Sequence, residues 1–162
     1  MATQITALVL DDDSPSQELI SALLKDEVSD IKVTCRSEPD SSGSFDVYFI
    51  DNDFGGVPHG SSLATRIRKE NPGKLIIAFS GTLNSEVLKE LLNAGCNGVC
   101  DKSTPGDMPT ALRIMRKYVQ EVREAEDVTP GPVGIVGAIR SISDLLREWN
   151  SRLDRQEMNL KS

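Results

Sequence analysis

Five short apolar runs alternate along this chain with segments of helical periodicity, and that alternation leaves few folds open. The runs are Thr6 to Leu10, Ile31 to Cys35, Val47 to Ile50, Leu75 to Phe79 and Gly98 to Cys100. A continuous apolar run of this length reads as a strand buried on both faces. Ile31 to Cys35 differs, because its apolar and polar residues alternate as they do in a strand near a sheet edge. Between the runs, Ser14-Pro15 opens a helix whose Leu19, Ile20, Leu23 and Leu24 share a face. A second helix is predicted from Ser62 to Glu70 and stops at Asn71-Pro72-Gly73. A third runs from Ser85 to Asn93, with Gly95 placed as a C-cap glycine. A fourth covers Pro109 to Glu124. Glu38 to Ser44 is too polar and too short for a full helix and is predicted as a turn. Asp53 to Gly60 is rich in Gly and Pro and is predicted as a loop. The order is α/β, with five parallel strands and helices on both faces of the sheet.

In such a sheet the functional crevice lies at the carboxyl ends of the strands. The first strand ends in Asp11 and Asp12, the third in Asp51, the fourth in Ser80 and the fifth in Asp101-Lys102. Three carboxylates converging on one point repel one another unless a cation neutralises them. An oxygen-rich cluster suits Mg²⁺, which takes one or two carboxylates and keeps several waters. A carboxylate beside such an ion can act as a nucleophile and form an aspartyl phosphate. The charge on a transferring phosphoryl group then needs stabilising from several sides. The Lys102 ammonium and the Ser80 hydroxyl supply two further sides. Taken alone, Asp11-Asp12-Asp13 also reads as an acidic turn capping the helix that follows. The combination with Asp51, Ser80 and Lys102 favours the site.

The rest of the composition narrows the classes. A net charge of −7 argues against nucleic acid and anionic membrane as partners. No apolar run approaches the roughly 20 residues that span a bilayer, and no signal peptide is visible, so a cytoplasmic location is expected. Cys35, Cys96 and Cys100 have no framework spacing and read as plain thiols. His59, the single histidine, lies in a loop, either exposed or over the acceptor. With one histidine and no suitable cysteine neighbour, hydrolase triads and His-rich metal sites are excluded. Gly55-Gly56 is no P-loop, since no Gly-Lys-Ser/Thr follows.

Four motifs together resemble the receiver (CheY-like) domain of two-component response regulators. Leu8-Val9-Leu10-Asp11-Asp12 resembles the family's acidic pair, and Phe45-Asp46-Val47-Tyr48-Phe49-Ile50-Asp51 its acceptor motif. Ile76-Ile77-Ala78-Phe79-Ser80-Gly81 resembles the switch hydroxyl, and Gly95 to Lys102 the stretch that ends in its lysine. The resemblance covers residues 5 to 122 and implies a flavodoxin-like sheet. It implies Mg²⁺ held by Asp12 and Asp51, by Asp11 through water, and by the backbone carbonyl of Asp53. It implies phosphorylation of Asp51, with Ser80 and Lys102 on the phosphate. A histidine kinase or histidine phosphotransfer protein is the implied donor, in a protein that signals and is not an ordinary enzyme. The chain departs from the family in four places. Val99 replaces the usual Tyr or Phe, Ser103 replaces the usual Pro, the loop after Asp51 is one residue longer, and the second helix is reduced to a turn. A receiver fold that signals without phosphorylation, as an adaptor or dimerisation module, is the rival reading. A small Mg²⁺ phosphatase lacks an evident general base near Asp51.

Residues 1–126 are thus expected to form the receiver domain. Residues 127–134, with Thr129-Pro130-Gly131-Pro132, form a linker, and 135–162 an amphipathic helix and tail. Ile135, Ile139, Ile142, Leu146, Trp149 and Leu153 follow a heptad seam. The seam is open to three uses: folding back on the domain, self-association as a homodimer, or docking on a downstream protein, with Trp149 as the anchor.

Overall fold

The computed structural model describes residues 3–81, 83–127 and 142–155. The elements in chain order are β1 (Thr6–Leu10), α1 (Ser14–Glu27), β2 (Lys32–Arg36), β3 (Val47–Asp51), β4 (Asp53–Phe54) and β5 (Val57–Pro58). They continue with α2 (Gly60–Glu70), β6 (Leu75–Ser80), α3 (Ser85–Ala94), β7 (Gly98–Asp101) and α4 (Asp107–Asp127). Residues 142–150 and 152–155 are helical as well.

The main sheet has the order β2-β1-β3-β6-β7, and every pairing in it is parallel. Alternate residues of each central strand feed opposite cores. Ala7, Val9, Val47, Phe49 and Ile77 pack with Ile20 and Leu24 of α1 and with Ile114 and Met115 of α4. Leu8, Leu10, Tyr48, Ile50 and Ile76 pack with Leu63 and Ile67 of α2 and with Leu88 and Leu91 of α3. Both faces of these strands are therefore dry, which accounts for their unbroken apolar runs. The strand order reverses between β1 and β3. This switch point opens a crevice where Asp11 and Asp51 leave the sheet.

The element order and the α/β class agree with the sequence reading, with local corrections. β2 starts at Lys32, one residue late, because Ile31 turns into the core beside Val28. α2 starts at Gly60 and α4 at Asp107, both two residues earlier than expected. The stretch taken as a plain loop after Asp51 contains the antiparallel hairpin β4–β5. Gly55 and Gly56 turn it with φ of 60° and 83°, the left-handed pair that a tight hairpin turn needs. No helix forms between β2 and β3. There the Arg36 guanidinium bonds the carbonyls of Asp40 and Ser42 at 2.8 Å each and lies 5.6 Å from the Phe45 ring centroid. Asp127, assigned to the linker, is the last residue of α4.

The C-terminal helical residues lie across the open edge of the sheet. Leu145 and Leu146 pack on the α1–α4 core, Trp149 is buried within it, and Leu153 reaches the α2–α3 core. Ile142 lines a cleft with Tyr118 and Val122 of α4. Of the three uses left open for the seam, the structure has the fold-back over Leu146, Trp149 and Leu153, which turn onto their own domain. Ile135 and Ile139 lie outside the described residues. Among the described residues, no helix is long and apolar enough to cross a membrane.

Candidate acidic site at the sheet switch point

Each site residue is placed by a strand end and held by the turn that follows. Asp11 leaves β1 and is 1% exposed. Its carboxylate accepts the Asp13 amide at 2.9 Å and the Ser16 hydroxyl at 2.6 Å. Asp13 caps α1 by accepting the Ser16 amide at 3.0 Å. The acidic triplet thus divides its work: Asp13 is the cap, and Asp11 and Asp12 face the crevice. Asp12 is exposed, and its Oδ2 accepts the Gly55 amide at 2.9 Å, which ties the hairpin over the site.

Asp51 ends β3 and is 4% exposed. Its Oδ1 accepts the Asp53 amide at 3.2 Å and its Oδ2 meets Lys102 Nζ at 3.1 Å. The same ammonium lies 3.6 Å from Asp11 Oδ2. The Lys102 amide donates to the Ser80 carbonyl at 2.9 Å, which fastens the end of β7 to that of β6. Ser80 is buried and its polar groups are engaged. Asn52 orders the following turn: its carbonyl accepts the His59 amide at 2.8 Å, and its Oδ1 accepts the Gly60 amide at 3.0 Å. A Cβ at residue 60 would fall on that Oδ1, so a larger residue there would displace the Asn52 side chain and its bond to the amide. His59 stands edge-on to Phe54, with ring centroids 5.7 Å apart.

Burial pushes the Asp51 carboxyl above its ordinary range, and the Asp11 charge adds to this, against the Asp53 amide and Lys102. Burial works against the Lys102 ammonium, but the Asp51 and Asp11 carboxylates outweigh it and raise its pKa. Asp101 is likewise disfavoured by burial, yet the Ser103 hydroxyl and amide and the Thr104 hydroxyl hold its carboxyl below the usual range.

Asp11, Asp12 and Asp51 each offer an oxygen, all within 4.8 Å of one another. Three acids against one ammonium leave an excess of negative charge in a pocket of hard oxygen donors. This donor set fits a divalent cation such as Mg²⁺. The sequence reading thus grouped Asp11, Asp12, Asp51 and Lys102 in one pocket, and the structure brings them together. Ser80 is joined to this group through its carbonyl, which accepts the Lys102 amide, and Asp53 touches Asp51 through its own amide.

Sequence reasoning missed the junction at the other side of β7. Asp107, at the start of α4, is 4% exposed. It accepts the Asp101 amide at 2.9 Å, Arg152 Nη2 at 2.8 Å and the Trp149 indole at 3.3 Å. A separation of 45 residues between Asp107 and Arg152 leaves no local pattern that could have revealed it.

No protein-family model matches the chain. It is 30% identical over 104 residues to the transcriptional regulatory protein ComA of Bacillus subtilis, across 59% of this chain and 48% of that one. The chain therefore spans about half the length of this curated relative. Among solved structures, it is similar to the BeF3-activated DrrB receiver domain, with a TM-score of 0.63 at 16% identity, covering 73% of this chain and 99% of that one. A CheY-like receiver domain from Methanospirillum hungatei JF-1 gives 0.61 at 19%, covering 74% and 98%. The receiver domain of the Francisella response regulator 1452 gives 0.57 at 23%, covering 70% and 98%. The chain has the fold of a CheY-like receiver domain. To it are added the helical residues 142–150 and 152–155, which lie on the domain itself.

Proposed function

We propose that the protein is a cytoplasmic response regulator whose Asp51 accepts a phosphoryl group from a histidine kinase or histidine phosphotransfer protein. One observation carries this reading: a buried carboxylate, Asp51, held between the acids Asp11 and Asp12 and the Lys102 ammonium at 3.1 Å. An oxygen of Asp51 attacks phosphorus and forms an O–P bond. The P–N bond of the donor phosphohistidine breaks, and the imidazole leaves with a proton taken from solvent. Asp12, Asp51 and the Asp53 carbonyl would hold Mg²⁺, with Asp11 assisting through water, and the ion would neutralise the pocket and the phosphoryl oxygens. Lys102 leaves Asp51 Oδ2 for a phosphoryl oxygen, and Ser80 donates to another. The modified surface then selects a downstream protein.

Treatment with acetyl phosphate and Mg²⁺, read by intact mass, tests this reading. A gain of one phosphoryl group is expected in the wild type and not in Asp51→Asn. A folded, Mg²⁺-binding protein that gains nothing from acetyl phosphate or from a kinase panel would overturn it.

A further inference from the structure

Strand β7 lies at the open edge of the sheet, and residues 149–152 hold on to that edge point by point. Asn150 Nδ2 donates to the Asn97 carbonyl at 2.9 Å, and Arg152 Nη2 to the Val99 carbonyl at 2.6 Å. The Trp149 indole sits on Gly98, where a Cβ would come within 2.8 Å of Cε3. The Arg152 guanidinium stacks 4.7 Å from the Trp149 ring centroid and pairs with Asp107. The tail thus occupies a ready-made groove with a glycine floor, two carbonyl acceptors and a carboxylate at one end.

The same strand end carries the acidic site. Asp101, whose amide is held by Asp107, is followed at once by Lys102, whose ammonium spans Asp51 and Asp11. The intervening turn has little slack. The Asp101 carboxylate binds the Ser103 amide at 2.9 Å and the Thr104 hydroxyl at 3.2 Å, and the Thr104 carbonyl accepts the Asp107 amide at 3.1 Å. These bonds join the backbone on either side of Lys102 to Asp107, so a backbone shift at Lys102 would reach the start of α4. Arg152 Nη2 donates to both the Val99 carbonyl and the Asp107 carboxylate, so one guanidinium nitrogen ties the strand to the start of α4.

We propose that residues 142–155 are a reversible plug in the β7 groove, and that a phosphoryl group on Asp51 releases it by drawing Lys102 away. Release uncovers the Gly98 floor and the Val99 carbonyl for a helix of similar chemistry from a downstream protein. The plug stays tethered, so it re-docks at high effective concentration once the phosphoryl group is lost. This inference rests on the reading of Asp51 as acceptor.

Trp149 is the sole tryptophan, so its fluorescence reports the plug directly. Acrylamide quenching is measured on the full chain with Mg²⁺, before and after beryllofluoride, while ¹⁹F NMR reports bound fluoride. Gly98→Ala serves as the undocked reference, with Arg152→Gln in its place if the first does not fold. A several-fold rise of the quenching constant toward that reference is expected, with no change in Asp51→Asn. Bound fluoride with unchanged quenching overturns the plug and leaves the acceptor reading intact. No bound fluoride overturns both.

Discussion

The indole of Trp149 fills the space that a side chain at Gly98 would take, and neither residue could be enlarged without moving the other. Gly98 shows no left-handed φ, so its role is the room it leaves and not its backbone freedom. Gly98→Ala should cost about 1–3 kcal/mol through overpacking. Urea unfolding measures this. In a Trp149→Ala background most of the cost should vanish, since the clash has lost its partner. Equal costs in both backgrounds would show that the fit is not what matters.

Asp51→Asn should stabilise the metal-free protein at neutral pH. The sign follows from the raised carboxyl. The folded state holds the Asp51 proton more tightly than the unfolded state, so the acid costs stability as pH rises through that interval. Below the carboxylate range both states are protonated and the gain should disappear. Thermal melts from pH 3 to 8 follow this, to order of magnitude. A gain that persists at low pH would point to some other cause.

Lys102→Met removes the cation that two buried acids share. The metal-free variant should lose about 1–3 kcal/mol, because the acids are left unpaired. Mg²⁺ should restore more stability to it than to the wild type. Melting temperature against Mg²⁺ concentration measures both, and identical Mg²⁺ shifts would separate Lys102 from the cation site.

The thiols should react unequally. Burial pushes Cys96 and Cys100 up to about 12, whereas Cys35 is exposed and raised less far. Native protein at pH 8 should take up one alkylating group, at Cys35, and all three thiols should react once unfolded. Peptide mapping distinguishes the sites.

The strands that were legible in the sequence are the ones buried on both faces. Ala7 to Leu10 and Leu75 to Phe79 are unbroken apolar runs because every position in them is buried. Asp11, Asp51 and Lys102 were legible for a related reason: polar residues that end such runs must gather where the strands end. The β4–β5 hairpin was missed although Gly55-Gly56 is a known turn pair, because its strands of two residues each carry no alternation. The tail shows the limit of periodicity. The spacing of Leu146, Trp149 and Leu153 marks one apolar face but does not say what covers it. That depends on Gly98 and Asp107, which look ordinary where they stand in the chain.

A parallel sheet with five strands has two rims, and a rim is a template on which a foreign strand can grow. At β7 the free carbonyls are taken by Asn150 and Arg152. A chain cut after residue 127 would present that template bare. Its failure would appear first as concentration-dependent aggregation with a β-rich signature, while the remaining domain stayed folded.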